Sequence, residues 1–310
     1  MTKGVLTMIK NFKELADAAK AMEKKTVLAV VEAHDEHTLE AVMTAKKDGI
    51  IDAMLIGNEE KIREIITQEG ADPADYTIVP TSSIEESLKI GIDTIHSGKA
   101  NVIMKGKMET GPFMKAIINK ENDMMAGGRI SLVGLFEHPT AYHKLIAVTD
   151  MGMNTYPDLE GKKDEINNAV KLLHALGIEC PKVACLCAVE KLNPKMPETV
   201  DADALKKMNA AGEIPGCIVE GPISFDLAIK KESADLKGYE SPVAGDADLL
   251  LVPDITCGNV LVKCMTEYAG ATTAGAMLGA KCPLIITSRS AAASDKYYSI
   301  ALAAYSAARY

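Results

Sequence analysis

Short apolar segments alternate with segments of helical periodicity along most of this 310-residue chain. Residues 27–31 read Val-Leu-Ala-Val-Val, a continuous apolar run that is typical of a parallel strand covered on both faces. Between such runs, apolar residues recur at spacings of three and four, as in Ile62, Ile65 and Ile66, which predicts helices with one apolar side. Strands that alternate with helices of this length form right-handed crossovers. We therefore predict an α/β fold with mostly parallel sheets.

The length of the chain predicts two domains, because a single core stops growing beyond about 250–300 residues. Residues 124–128 end in two glycines and precede two strand-like runs, 130–136 and 145–148, so the boundary is expected near residue 140. The small-residue run at 272–280 is compatible with a tightly packed helix. No G-x-G-x-x-G motif is present, which argues against a nicotinamide cofactor bound in the Rossmann manner.

Charge and hydropathy exclude several classes of partner. The chain has 34 Lys and Arg against 43 Asp and Glu, a net charge of −9 that argues against a nucleic-acid-binding surface. No apolar run reaches the roughly 18 residues of a membrane span, and the first residues lack a signal-peptide pattern. We expect a cytoplasmic protein without nucleic-acid or membrane partners.

Metal-ligating residue types are present but not in convincing groups. The seven cysteines contain no C-x-x-C pair and lie in apolar surroundings, so they are expected to be reduced thiols. Cys185 and Cys187 share a strand face without a third ligand nearby. His34 and His37 flank Asp35, which is better explained as the N-cap of a helix. We predict no metal site.

One loop near the carboxyl terminus combines a hydroxyl, a guanidinium and a carboxylate. A strand-like run from residue 283 stops at Ser288 and Arg289, passes through small residues and resumes as a helix at Ser294 and Asp295. Ligands of open α/β sheets bind outside the carboxyl ends of strands, and an Arg fork suits phosphate. The alternative is structural: Ser294 as an N-cap, Asp295 complementing the helix dipole and Arg289 in a surface ion pair.

A second candidate anion site follows the strand at 101–104. Lys105 and Lys107 flank a glycine, and Thr110 stands before a predicted helix whose N-terminus favours anions. The segment is not a Walker A motif. Lysines at a strand end are also common on ordinary surfaces, so this alternative stays open.

Further polar residues follow two later strands. Asp150 and Asn154 lie in a turn-rich connection, where their ordinary function is turn and cap chemistry. Asn259 and Lys263 are four residues apart at a predicted helix start, so both side chains can point the same way.

These segments together resemble one known family. The matching motifs are residues 105–110, Thr149-Asp150 followed by Asn154, residues 221–226, Pro253-Asp254 followed by Asn259 and Lys263, and Ser288-Arg289 followed by Asp295. In this order they resemble the phosphate acetyltransferase and phosphate butyryltransferase family over nearly the whole chain. Residues 193–199 and the short length are more similar to the butyryltransferase branch.

The resemblance implies a fold of two α/β domains with an active-site cleft between them, like that of isocitrate and isopropylmalate dehydrogenases. The first domain would comprise residues 1–140 with the terminal helix, 291–310, and the second residues 141–290. It also implies a homo-oligomer, either a dimer or an assembly of dimers.

The implied activity is reversible transfer of a short acyl group between CoA and inorganic phosphate, with butyryl favoured and acetyl as the alternative. Acyl-CoA and phosphate would react directly, without a covalent enzyme intermediate, a metal or a tightly bound cofactor; CoA is a substrate. The resemblance places catalysis on Ser288, Arg289 and Asp295. It places substrate binding on Lys105, Lys107, Thr110, Asp150, Asn154, Asn259 and Lys263.

Two other function classes remain open from the sequence. A dehydrogenase of the isocitrate or isopropylmalate type would need a metal-binding carboxylate cluster, which the sequence does not reveal. A two-domain binding protein that closes on an anion would also suit the predicted architecture, but it gives Asp295 no reason to face that anion.

Overall fold

The computed structural model describes residues 8–138, 140–287 and 291–309. Its strands follow in chain order: β1 (Thr26–Val31), β2 (Ile51–Gly57), β3 (Thr77–Pro80), β4 (Val102–Lys105), β5 (Ser131–Glu137), β6 (Ile146–Thr149), β7 (Lys182–Leu186), β8 (Ile218–Ile223), β9 (Leu249–Leu251), β10 (Thr272–Leu278) and β11 (Leu284–Ile285).

The α-helices alternate with these strands. They are α1 (Phe12–Lys20), α2 (Glu36–Lys47), α3 (Glu59–Gln68), α4 (Ile84–His96), α5 (Thr110–Ile118), α6 (Leu159–Ala175), α7 (Pro197–Ala210), α8 (Phe225–Ile229), α9 (Lys231–Leu236), α10 (Ile255–Lys263) and α11 (Ala293–Ala307). A π-helical turn, Cys264–Tyr268, continues α10.

The described residues divide into two compact units. We call residues 12–127 with the described part of 274–309 the 12–127 unit, and residues 128–273 with 8–11 the 128–273 unit. The predicted domains, 1–140 with 291–310 and 141–290, stay a prediction, because compactness does not report whether a segment folds independently.

The sheet of the 12–127 unit has the strand order β3-β2-β1-β4-β11-β10. All its pairs from β3 to β11 are parallel, and β10 pairs with β11 in the antiparallel direction. The chain runs outward from β1 to β3 and then returns to place β4 on the other side of β1. The strand order therefore reverses between β1 and β4, and their carboxyl ends form the crevice where open α/β sheets bind ligands.

Helices cover this sheet with apolar faces. Ile62, Ile65 and Ile66 of α3 are buried, as the periodicity predicts. The terminal helix α11 joins the same unit: the Thr26 hydroxyl donates to the Ala304 carbonyl oxygen at 3.0 Å, and the ring of Tyr298 stacks on that of Phe12. Asp35 caps α2 as predicted, accepting a hydrogen bond from the Thr38 N–H at 2.9 Å.

The sheet of the 128–273 unit has the strand order β5-β6-β9-β7-β8. Strands β5 and β6 are antiparallel, and the remaining pairs are parallel. The chain passes from β6 to β7 and later returns to insert β9 between them. One face of this sheet packs against α8, α9 and α10 through a buried cluster that includes Phe136, Val148 and Leu250.

None of the helices in the described part of the chain combines the length and the apolar content that crossing a lipid bilayer requires.

Candidate active site

The loop after β4 places its two lysines in different surroundings. The Lys105 side chain is buried, and its Nζ donates to the carbonyl oxygens of Met108 at 2.8 Å and Gly106 at 3.3 Å. Lys107 is exposed, while its backbone N–H donates to the Glu32 carbonyl oxygen at 2.8 Å. Thr110 is exposed as the first residue of α5. Lys107 and the start of α5 are therefore the parts of this loop that are open to a dissolved anion.

Gly106 fixes this loop against the end of β1. A Cβ atom built on Gly106 would lie 2.2 Å from the Glu32 carbonyl oxygen and 2.8 Å from its carbon, distances that no side chain tolerates. The residue must be glycine for the two strand ends to approach this closely.

Three residues that the sequence analysis did not assign lie at the same crevice. Glu32 follows β1 directly, is buried and accepts a hydrogen bond from the Ser87 hydroxyl at 2.5 Å. His34 Nδ1 lies 3.7 Å from the second carboxylate oxygen of Glu32. Burial lowers the pKa of His34, and the nearby Lys107 adds to this, while Glu32 opposes it. A polar Glu-x-His directly after an apolar run was the available sequence signal.

Asp295 lies in the first turn of α11, where a carboxylate interacts favourably with the helix dipole. Its side chain is half-buried, and its backbone carbonyl oxygen accepts a hydrogen bond from the Ser299 hydroxyl at 2.7 Å. Ser288 and Arg289, predicted as its catalytic partners, lie outside the described residues. Their assignment stays a prediction.

The 128–273 unit presents a dense hydrogen-bond cluster at the end of β6. Asp150 is buried, and its carboxylate accepts from the backbone N–H groups of Gly152, Met153 and Leu132 at 2.8, 2.8 and 3.0 Å and from the Asn154 amide at 3.1 Å. Burial raises the pKa of Asp150, and the backbone hydrogen bonds oppose this shift.

The start of α10 packs against this cluster. Asp254 caps the helix, accepting from the N–H groups of Thr256 and Cys257, and a Cβ on Gly258 would lie 2.6 Å from the Asp150 carbonyl oxygen. Asn259 and Lys263 are exposed one helical turn apart on the same helix. Of the predicted residues, Asp150 and Asn154 are therefore joined by a hydrogen bond. The start of α10, which carries Asn259, lies beside them. Lys105, Lys107, Thr110 and Asp295 belong to the other unit.

A buried carboxyl group that the sequence analysis missed lies beside Asp150. Glu165 of α6 is fully buried, and among the described residues neither of its carboxylate oxygens has a hydrogen-bond partner. Burial, followed by the charge of Asp150, raises the pKa of Glu165 to about 8.

Comparison with known proteins identifies the family. A family model described as phosphate acetyl/butaryl transferase matches residues 81–304. A phosphate butyryltransferase from Clostridium acetobutylicum is 43% identical over 297 residues, which cover 96% of this chain and 98% of that protein. The chain belongs to the phosphate acetyl/butyryltransferase family. It is an acyltransferase, as the resemblance implies.

Acetyltransferases of this family are similarly close. A phosphate acetyltransferase from Thermotoga maritima is 39% identical over 294 residues, which cover 94% of this chain and 98% of that protein. Phosphate butyryltransferases and phosphate acetyltransferases therefore both match nearly the whole of this chain. Overall sequence identity does not separate the two branches.

Solved structures correct the predicted fold. A branched-chain phosphotransacylase from Enterococcus faecalis superimposes with a TM-score of 0.80 at 28% identity, over 91% of this chain and 99% of that one. A phosphotransacetylase from Streptococcus pyogenes gives a TM-score of 0.82 at 21% identity, over 96% and 98% of the two chains. The fold is that of the phosphotransacylases, and the prediction of an isocitrate/isopropylmalate dehydrogenase-like fold was wrong. Alternation of strands and helices predicts the α/β class, but it does not specify strand order, which distinguishes one α/β fold from another.

Proposed function

We propose that this chain transfers a short acyl group, with butyryl preferred, reversibly between coenzyme A and inorganic phosphate. The observation that carries the proposal is the 43% identity to a phosphate butyryltransferase over 96% of this chain. Acetyl transfer is the second candidate, favoured by the 39% identity to a phosphate acetyltransferase. CoA acts as a substrate, and the reaction uses no tightly bound cofactor and no metal.

The proposed chemistry is a direct attack within a ternary complex. A phosphate oxygen attacks the thioester carbon, the carbonyl oxygen becomes an oxyanion, and the carbon–sulfur bond breaks to release CoA. Ser288 donates a hydrogen bond to the oxyanion, and the Arg289 fork binds the phosphoryl oxygens. In the opposite direction the CoA sulfur attacks the acyl phosphate, phosphate leaves, and Asp295 takes the thiol proton.

The remaining proposed residues bind substrate. Lys107 and Thr110 lie at a crevice of the kind that receives anions, with Lys105 buried in the same loop. Asp150, Asn154, Asn259 and Lys263 would bind substrate near the carboxyl end of β6, in the 128–273 unit. The cluster of hydrogen bonds around Asp150 supports this role, because it holds the loop in one conformation before substrate arrives.

An assay of thiol release tests the activity. Butyryl-CoA should release free thiol only when phosphate is added, and the second product should be butyryl phosphate. Thiol release at the same rate without phosphate would indicate a hydrolase and would contradict the proposal. Reduction of a nicotinamide cofactor would instead support the dehydrogenase class.

The proposed function of Asp295 as a base faces an unfavourable pKa difference, and substitution of Asp295 tests whether it is the base. A solvated Asp near pKa 3.9 and a thiol near 8.5 differ by about 4.6 units, or about 6 kcal/mol against proton transfer. If Asp295 is the base, Asp295→Asn should lose most of the rate of acyl-CoA formation at pH 7 and regain part of it as the pH approaches 8.5, where thiolate forms unaided. A near-normal rate of Asp295→Asn at pH 7 would show that Asp295 is not the base and that its function is to complement the helix dipole.

We further propose a cytoplasmic homo-oligomer, a dimer or an assembly of dimers. Val260, Cys264 and Tyr268 form an exposed stripe at four-residue spacing along α10 and its π-helical turn, and Tyr268 is 94% exposed. A second copy, packed antiparallel, would cover such a stripe, with Val260 facing the partner's Tyr268. Tyr268→Glu should shift the mass measured by light scattering toward the monomer, whereas Leu192→Glu, on a loop, should not. A monomeric wild type would contradict the proposal.

A further inference from the structure

Glu165 is the most unusual buried group in the 128–273 unit. It lies in the middle of α6, is fully buried, and neither carboxylate oxygen has a hydrogen-bond partner among the described residues. Lys162, one turn earlier on the same helix, is also buried but forms an ion pair with Asp201 at 2.6 Å. A buried carboxylate without a donor or a counter-ion is strongly unfavourable, so the state of this group requires an explanation.

The groups that face Glu165 cannot satisfy a carboxylate. The Asn154 amide donates its two hydrogens to the Ile130 carbonyl oxygen at 3.0 Å and to Asp150 at 3.1 Å. The two cations in its surroundings already have carboxylate partners: Lys162 pairs with Asp201, and Arg129 pairs with Asp158 at 2.9 Å. The Asp150 carboxylate is also near enough for its negative charge to disfavour a second one on Glu165.

Asp150 and Glu165 therefore form a carboxyl pair in which the two groups are unequal. Asp150 accepts four hydrogen bonds, which stabilise its ionised form. Neither oxygen of Glu165 has a donor at hydrogen-bond geometry among the described residues, and the nearby Asn154 amide, which donates to Ile130 and Asp150, lowers the Glu165 pKa without outweighing burial. The proton of such a pair resides on the group without donors. The raised pKa of Glu165, about 8, agrees with this assignment; Asn154, Lys162 and Arg129 oppose the shift but do not outweigh burial and Asp150.

We propose that Glu165 is a positioning residue that carries a proton in the working enzyme, and that this neutral acid keeps the Asp150–Asn154 loop in its substrate-binding conformation. Loss of the proton places a second negative charge near Asp150, and both side chains are buried. The repulsion would then displace Asp150 from its four donors and misplace Asn154. The inference rests on the proposed substrate-binding function of Asp150 and Asn154.

Turnover as a function of pH tests the proposal. Acyl-CoA and phosphate are the substrates of choice, because the free CoA thiol then does not titrate as a reactant. Wild-type kcat should decrease about tenfold per pH unit above the pKa of Glu165, as expected for one essential proton. Glu165→Gln, which has the shape of the neutral acid but cannot ionise, should largely remove this decrease. Glu165→Ala should lower kcat at every pH, because it leaves a cavity. A kcat of Glu165→Gln at least about tenfold above that of Glu165→Ala at pH 7 would show that the shape of the neutral side chain is what the site requires.

Glu160 of the same helix provides a matched control. Its side chain is exposed, and among the described residues it forms no hydrogen bond or ion pair with the proposed substrate-binding residues. Glu160→Gln removes the same charge from α6 and should keep the wild-type pH profile. If Glu165→Gln also keeps the wild-type decrease at alkaline pH, the positioning function is overturned.

Thermal unfolding provides a measurement that does not depend on activity. A native pKa of about 8 lies above the unfolded value near 4.3, so the native state binds the extra proton between these two values. The stability of the wild type must then decrease across that window, relative to Glu165→Gln, and the difference must level off above pH 8. The Tm difference between the two proteins should therefore grow from pH 5 to pH 8.

The two measurements separate failure of this inference from failure of the proposed function. A constant Tm difference from pH 5 to pH 8 overturns the inference even if the enzyme is active. A growing difference in a protein that does not release thiol with phosphate supports the buried proton and contradicts the acyl-transfer proposal instead. Infrared spectra provide a direct check: the carbonyl stretch of a protonated carboxylic acid at pH 7 should be lost in Glu165→Gln.

Discussion

Two lysines on either side of Gly106 have different surroundings and therefore different expected functions. The Lys105 ammonium is buried and donates to carbonyl oxygens of its own loop, whereas Lys107 is exposed. A buried ammonium with such partners shapes the loop. An exposed one is available to a substrate anion.

Alanine substitutions should separate these two functions. Lys105→Ala leaves the Met108 carbonyl oxygen without its 2.8 Å donor and should lower the free energy of unfolding by about 1–3 kcal/mol, with poorer binding of both substrates. Lys107→Ala should change the unfolding free energy by less than about 0.5 kcal/mol and raise the KM for phosphate or CoA. Urea unfolding and steady-state kinetics measure both. An equal loss of stability in the two variants would contradict the distinction.

At the residue scale, the sequence singled out candidate site residues where a polar side chain follows an apolar, strand-like run. Lys105 ends β4 and Asp150 follows β6, so an apolar run that stops at a polar residue marked both positions. Glu165 gave no comparable signal, because it stands in a charged stretch of α6 with Lys162, Lys163 and Asp164. Only packing of the helix on the sheet shows that Lys162 and Glu165 are the buried side chains among these four, and the ionisation of Glu165 depends on that packing.

Among the elements, the β1 and β4 ends depend on one close backbone contact. A Cβ on Gly106 would lie 2.2 Å from the Glu32 carbonyl oxygen, and both strands would have to move apart to admit it. Gly111, five residues later, has no atom within 4 Å of the same built position.

The two glycines should therefore respond differently to substitution by alanine. Gly106→Ala should destabilise the protein by at least about 2 kcal/mol, because backbone atoms cannot yield as a flexible side chain can. Gly111→Ala, at the start of α5, should leave stability unchanged or raise it by up to about 1 kcal/mol. Chemical denaturation of the two variants tests the pair, and a tolerated Gly106→Ala would show that the approach of β1 and β4 is not tight.

Element type was predictable where hydrophobic periodicity was strong and ambiguous where side chains were small. The α3 isoleucines are buried as expected. Residues 272–280, which were compatible with a packed helix, instead contain strand β10, Thr272–Leu278. Ala and Gly provide neither the bulk of a β-branched strand nor a helical stripe, so the local sequence could not decide and pairing with β11 did.

For the whole chain, similarity to the family identifies the fold, whereas hydrophobic periodicity predicts only the fold class. Alternating strands and helices predicted the α/β class, but strand orders such as β5-β6-β9-β7-β8 arise from long-range pairing that no local pattern encodes. The dehydrogenase-like fold was implied by the family resemblance and not by the periodicity, and the match to solved phosphotransacylases shows that it was wrong. The net charge of −9 also means that the two anionic substrates depend on a few local cations rather than on the overall field.

Acyl-chain preference is likewise a property of the complete enzyme, and its size can be bounded. Butyryl and acetyl differ by two methylenes, each worth about 0.8 kcal/mol when buried, so full burial favours butyryl-CoA by about 1.6 kcal/mol. This corresponds to a ratio of kcat/KM on the order of 15 between butyryl-CoA and acetyl-CoA, within the range that apolar pockets achieve. Steady-state kinetics with acetyl-, butyryl- and branched-chain acyl-CoA at one phosphate concentration give the ratio. A ratio below one would assign the chain to acetyl transfer. A ratio near one would mean that the two extra methylenes remain in water, in which case no side chain of this enzyme encloses the end of the acyl group.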